Sequence, residues 1–168
     1  MPATYDKIAT TTLGSAAADV TFSSISGAYT DLVVVMNIFT SADGSTPQFQ
    51  FNTDTGSNYS TTFLEGSGST ATSSRQSSQT DIQFSFNVGG NSTNPQPIIA
   101  NINNYSNTTT YKTVIGRYNS ASGGTYPGVG AIVGLWRSTS AITAIKIFPG
   151  SGNFNSGSTF TLYGILKA

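Results

Sequence analysis

The chain has 168 residues, the size of one domain, and contains neither cysteine nor histidine. Disulfides and cysteine-bearing zinc sites are thereby excluded, and the commonest general base and metal ligand at neutral pH is missing. Charged residues make up 8% of the chain, against about 25% in an ordinary soluble domain, and the net charge is zero. Ser, Thr, Asn and Gln supply the polarity instead. Short hydroxyl and amide side chains favour strands, turns and caps over helix interiors, so the composition predicts β structure with many turns. The charges are segregated along the chain. All seven acids (Asp6, Asp19, Asp31, Asp43, Asp54, Glu65, Asp81) lie in residues 1–81, with only Lys7 and Arg75 beside them; the other five bases (Lys112, Arg117, Arg137, Lys146, Lys167) lie in 82–168. Either the halves interleave and the charges mix, or they form complementary patches that attract a neighbouring subunit.

No segment has a 3.6-residue apolar period, and period two recurs throughout. The first 13 residues are polar apart from Tyr5, Ile8 and Leu13, and read as an edge strand or an arm reaching a neighbour. Residues 19–24 alternate, with Val20 and Phe22 on one face. Residues 30–39 form a β-branched run suited to a central strand buried on both faces. Phe49 and Phe51 mark a short strand after Pro47, and Tyr59 to Glu65 another. Residues 66–80 are Gly, Ser, Thr, Ala, Arg and Gln, and read as a loop or an exposed edge excursion.

Residues 81–88 give the cleanest alternation, with Ile82, Phe84, Phe86 and Val88 expected inward. Strands follow at 97–105, with Ile98, Ala100 and Ile102 on one side, and at 111–118; a Gly-rich loop occupies 120–128. The strand at 129–137 contains the only tryptophan, Trp136, and its Gly130 and Gly134 predict close approach of a ring or backbone, or a bulge. Strands at 141–148 and 158–166 close the chain. These ten strands with frequent turns predict a single all-β domain over 1–168, a two-sheet antiparallel β-sandwich of jelly-roll type. There is no basic-then-apolar N-terminal segment, so no signal peptide is read, and no apolar run approaches the ~20 residues that span a bilayer.

The chemistry-bearing residues are sparse. Nucleophilic catalysis needs a base beside Ser or Thr, and the chain offers neither His nor a Ser-x-x-Lys pattern. Asp54, Glu65 and Asp81 are the only acids of the central region that could pair to hydrolyse a glycoside, but they flank turns, where Asp commonly bonds its own backbone. The segment from Asn52 to Asn58 has oxygen ligands at alternating positions, yet a lone carboxylate holds calcium weakly; a turn between strands is the simpler reading. Glycine-rich loops lie between strands and open no helix that would cradle a phosphate. Arg117-Tyr118 and Trp136-Arg137 are basic–aromatic pairs, too few and too dispersed for nucleic acid. Trp136, Tyr126 or Tyr118 could form a carbohydrate platform, although a Trp flanked by strand glycines reads first as core or interface.

Two stretches resemble small β-sandwich virion structural proteins of tailed bacteriophages of the cyanophage type. One is 19–34 (DVTFSSISGAYTDLVV), followed by 51–60 (FNTDTGSNYS). The other is 145–165 (IKIFPGSGNFNSGSTFTLYGI). The resemblance implies a scaffold with a Tyr-Thr-Asp corner entering a central strand and a final strand that returns to pair with it. It implies a non-enzymatic structural role, first as a capsid decoration (cement) protein on the head surface. The partners would be the major capsid protein and copies of the chain itself as a homotrimer, with no nucleic acid, membrane, metal or cofactor. A tail fibre or baseplate module holding a host glycan is the alternative. Candidate partner contacts are Tyr5, Ile8, Leu13, Arg75, Tyr126, Trp136, Arg137 and Phe154; no catalytic residue is assigned.

Overall fold

The computed structural model describes residues 4–86, 88–121 and 127–166. Within them every regular element is a strand: β1 (Tyr5–Thr12), β2 (Val20–Phe22), β3 (Asp31–Ile38), β4 (Pro47–Phe51), β5 (Tyr59–Gly66), β6 (Ala71–Gln79), β7 (Ile82–Gln83), β8 (Gln96–Asn103), β9 (Lys112–Ser120), β10 (Gly128–Trp136), β11 (Ile145–Pro149) and β12 (Thr159–Ile165). They form two antiparallel sheets. The larger has the order β1-β12-β3-β8-β9-β10-β5-β6, the smaller β2-β11-β4-β7. Four pairs are nested in sequence: β1 with β12, β2 with β11, β3 with β8, and β4 with β7. The hairpins β5–β6 and β9–β10 extend the larger sheet beyond β8.

Twelve strands stand where ten were expected, because both ambiguous segments are strands. Residues 5–12 are the edge strand β1, paired with β12 from Tyr5↔Ile165 to Thr12↔Thr159. Ile8 and Leu13 are half-buried against the core, so the arm alternative gives way to the edge strand. Residues 71–79 are the opposite edge, β6, held only by β5. An edge strand exposes both faces and needs no apolar alternation, which is why composition alone left it open.

Burial follows the period-two pattern. Phe49, Phe51, Ile82, Ile98, Ala100, Ile102, Ile145, Ile147, Phe160 and Leu162 are all within one buried cluster drawn from both sheets. In β3 the expectation of burial on both faces holds for the first half only: Leu32, Val33 and Val34 are buried, whereas Val35 is exposed. Residues 81–88 depart further. The ladder ends at Gln83, and Phe86 is 49% exposed. After Phe84, side chains replace the ladder: the Ser85 hydroxyl and the Phe86 amide each donate to Glu65 Oε1 at 2.7 Å, and the Val88 amide donates to Ser85 Oγ at 2.6 Å. This turn rotates Phe86 outward, where its ring leans on Phe63 at 6.0 Å between centroids.

The glycines of β10 provide space for neighbouring side chains, as their spacing suggested. A Cβ on Gly130 would lie 2.3 Å from the ring of Tyr118, its direct cross-strand partner, and one on Gly134 would lie 2.7 Å from Ile82 of the smaller sheet. No bulge is needed, since β10 pairs in continuous register on both sides. Gly130→Ala is therefore expected to destabilise the fold by about 1–3 kcal/mol through overpacking, measured by urea denaturation; an unchanged midpoint would show that the ring moves aside freely.

The turn after β4 carries backbone strain. The Asp54 amide donates to the Phe51 carbonyl at 2.9 Å, and the two central residues, Asn52 and Thr53, have φ of 51° and 61°. Asn tolerates the left-handed region, but a β-branched residue does so at a cost of about 1–2 kcal/mol. Because glycine gives part of that back as unfolded-state entropy, Thr53→Gly is expected to raise stability by about 0.5–1 kcal/mol. A lower melting temperature in calorimetry would contradict this reading of the turn.

Candidate interaction face

The inward positions of β10 are Gly130, Ile132, Gly134 and Trp136; its outward positions are Val129, Ala131, Val133 and Leu135. The strand is thus apolar on both sides, a pattern that suits a strand covered on both faces. Among the described residues only its inner face is covered. Val129 and Val133 are 61% and 54% exposed.

Register extends the apolar stripe sideways. Val133 faces Ile115 of β9, Ala131 faces Leu64 of β5, and across β9 the row continues through Ile99 of β8 to Val35 of β3. Leu64 is 60% exposed, and Ile115, Ile99 and Val35 are exposed as well. Arg117 stands in the middle of this surface, between Ile99 and Ala131, and forms no ion pair with a described residue. Two shallow depressions of about 550 and 390 Å³ flank it, sharing Arg117, Tyr118 and Val129 in their walls. The polar surround comes from Thr62, Ser73, Asn101 and Asn119 on the same face.

The carboxylates considered for catalysis are occupied by the scaffold. Asp54 Oδ2 accepts Trp136 Nε1 at 2.7 Å and Asn58 Nδ2 at 3.0 Å, while Oδ1 accepts the Gly56 amide at 2.8 Å. Burial pushes the Asp54 carboxyl up, but these hydrogen bonds outweigh it and hold its pKa below the ordinary value. Glu65 is buried on β5 and accepts the Tyr118 hydroxyl at 2.6 Å in addition to its bonds from Ser85 and Phe86. Burial, with the Glu65 carboxylate beside it, pushes the Tyr118 phenol far above its usual range. Asp81 is pushed up by burial, offset in part by the Thr80 hydroxyl at 3.2 Å.

The Asn52–Asn58 segment is likewise tied internally. Asn52 Oδ1 accepts the amides of Thr143 and Ala144 at 2.8 and 3.1 Å, and its Nδ2 donates to the Ala141 carbonyl at 2.7 Å. These bonds leave its amide oxygen committed to the backbone. Among the described residues no group of three or more acidic, His or Cys side chains is placed to hold a metal. Lys112, which the sequence did not single out, is fully buried. Its Nζ donates to the carbonyls of Thr110 and Thr139 at 2.7 and 3.1 Å, and burial pulls its pKa down.

The residues proposed from sequence as partner contacts scatter over the molecule. Tyr5 is exposed at the start of β1, edge-on to Tyr163 with centroids 6.3 Å apart. Arg75 is exposed on β6 and shares the outer face. Arg137 donates from Nη2 to the Ser57 carbonyl at 2.7 Å. Tyr126 lies outside the described residues. Trp136 and Phe154 correct the expectation: they are 2% and 0% exposed. Trp136 packs on Tyr59 and Phe51, and Phe154 meets Phe160 at 5.0 Å. Both were candidate partner contacts, with Trp136 read first as core or interface; the core takes them because their area is worth more buried. The exposed aliphatic residues of β5, β8, β9 and β10 were missed. Their signal was present in Val129–Leu135, where neither parity is polar.

No family model matches the chain, and no curated protein matches it. A crystal structure of a protein of unknown function from Shewanella oneidensis MR-1 aligns with 10% identity and a TM-score of 0.21, over 86% of this chain and 62% of its own. The chain thus spans less than two thirds of that protein, and so slight a likeness carries no argument.

The Asp54 contacts make a pH-dependent contribution with a defined sign. An aspartate in the unfolded chain titrates near about 4, and folded Asp54 titrates lower. Its stabilisation is fully present above about pH 4 and is lost as pH falls through the lower folded value. Asp54→Asn is expected to cost about 1–3 kcal/mol at pH 7, with the deficit shrinking below about pH 4 in thermal melts of both proteins. A deficit that stays constant down to pH 2.5 would count against the assignment. Asp81 acts in the opposite sense, since a raised folded pKa favours the folded state as pH falls from neutral through that value.

Proposed function

We infer that the chain is a non-enzymatic virion structural protein of a tailed bacteriophage, a capsid decoration protein that binds the head surface and stabilises the shell. The observation that supports this best is the aliphatic outer face of the larger sheet, built on a strand that is apolar on both sides. Monomeric proteins seldom expose a contiguous apolar patch of this kind unless something docks there. The binding of Asp54 and Glu65 into structural hydrogen-bond sets agrees with a scaffold rather than a hydrolase.

The finer architecture in this reading is a β-sandwich of jelly-roll type. Its support is the strand order: β1-β12-β3-β8 in one sheet and β2-β11-β4-β7 in the other have the nested pairing of a jelly roll, with β5–β6 and β9–β10 as inserted hairpins. The insertions supply most of the aliphatic face. Decoration would act by mass action: a protein that binds the assembled shell and not its separated subunits lowers the free energy of the shell. A homotrimer over a local symmetry axis of capsid subunits is the form that the reading favours. The alternative, glycan binding in a tail module, is weakened by the burial of Trp136 and the commitment of its indole N–H to Asp54.

Labelling intact particles with an antibody against the chain, followed by electron microscopy, tests the reading directly. Label over the whole head surface is expected. Label confined to the tail would reject decoration and make glycan binding by an array the next measurement.

A further inference from the structure

The interaction face has a charge problem that says what must cover it. Arg117 is exposed at the centre of the aliphatic surface, without a carboxylate from a described residue. The other charges on this side of the sheet are Arg75 and Lys7, and at its margin Asp31, whose Oδ1 already accepts the Asn104 amide at 2.6 Å. Covering an unpaired guanidinium with apolar surface leaves a buried charge uncompensated, which strongly disfavours the contact. Two copies of this face packed on each other would bury two such cations at the centre, while the carboxylate of this side, Asp31, stays at the start of β3, two strands from Arg117. A lipid surface is disfavoured for a different reason: anchoring at a bilayer interface usually enlists Trp or Tyr, and the tyrosines of this side, Tyr5 and Tyr163, stand on the far-edge strands β1 and β12, away from the short aliphatics at the centre.

We propose that this face docks a partner protein surface that is aliphatic at its centre and presents a carboxylate to Arg117. The inference rests on the virion reading, in which the partner is the head shell, and it names the chemistry of the site on that shell. The extent fits. The face and its surround cover six strands, β3-β8-β9-β10-β5-β6; about 4.8 Å apart over about six residues they span roughly 500–600 Å², of the same order as the roughly 800 Å² that each side of a standard interface buries. The layout fits too, with an apolar centre, a polar surround and an arginine of the kind enriched at binding hot spots. Depressions on either side of Arg117 would receive aliphatic side chains flanking the carboxylate.

The test is rebinding of the full-length protein to particles from which it has been removed. Wild type is expected to bind, Arg117→Glu to weaken binding by about 100-fold or more, Arg117→Lys to weaken it less, and Leu64→Asp to weaken it by at least about 10-fold. Ser23→Asp, on the loop after β2, is expected to bind as wild type. Circular dichroism and melting curves establish that every variant is folded. A photoreactive residue at Ile115 is expected to cross-link a segment of another virion protein that contains Asp or Glu. If wild type binds and both Arg117→Glu and Leu64→Asp bind equally well, the inference is overturned while the virion reading stands. If wild type fails to bind the particle, the virion reading falls and takes this inference with it. A dimer in sedimentation that Leu64→Asp dissociates would make the occupant a second copy. Flotation with phosphatidylglycerol–phosphatidylcholine vesicles, lost in Leu64→Asp, would make it a membrane. Either of those results overturns the proposal.

Discussion

Trp136 of the larger sheet and Phe51 of the smaller meet with ring centroids 5.5 Å apart, and Tyr59 stacks on the same indole at 6.2 Å. This contact is the constraint on which the packing of the two sheets depends. Such rings bring a large apolar area into the core, but each of Trp and Tyr also brings a donor that must find a partner there. The turn between β4 and β5 answers both demands. Its Asp54 takes the indole N–H, and the Tyr59 hydroxyl accepts the Phe51 amide at 3.0 Å and donates to the Asp54 carbonyl at 3.1 Å. The strained φ angles at Asn52 and Thr53 belong to the same turn. The backbone accepts that strain because the tight turn delivers the carboxylate to the indole.

A second buried network works in the same way at the other end of the inserted hairpins. Glu65 gathers donors from Ser85, Phe86 and Tyr118, which tie β5, the segment after β7, and β9 together. Gly130 leaves room for the Tyr118 ring that reaches it. Charges are so scarce in this chain that two of its seven carboxylates spent on internal hydrogen bonds alter the surface balance. What remains outside is a sheet with a cationic, aliphatic face. Its strands need covering on that side for the reason that governs any both-sided apolar strand.

Much of the fold was legible because period two is a direct consequence of strand geometry. The inward residues of β8, β11 and β12 follow it without exception. The pattern failed where side chains took over from the ladder. Phe86 lies in phase with Ile82 and Phe84, yet Glu65, twenty residues earlier, captures the backbone between them and turns the ring out. It was also silent on β6, whose hydroxyl-rich sequence would serve as loop or edge equally well. The interaction face escaped for a third reason. β10 is apolar at both parities, and only the inward glycines tell which parity the core uses.

The sequence by itself determined the all-β class, the positions of most strands, the inward register of β8, β11 and β12, and the close approach at Gly130 and Gly134. Each of these is a local consequence of side-chain volume, branching and alternation. The tertiary structure alone decided that Trp136 is core, that Asp54 is its hydrogen-bond partner 82 residues away, and that Arg117 stands among exposed aliphatic residues from four neighbouring strands. Those are relations between segments distant along the chain. No periodicity within one strand encodes them, because which strand lies beside which is set by the nested pairing and not by any strand alone.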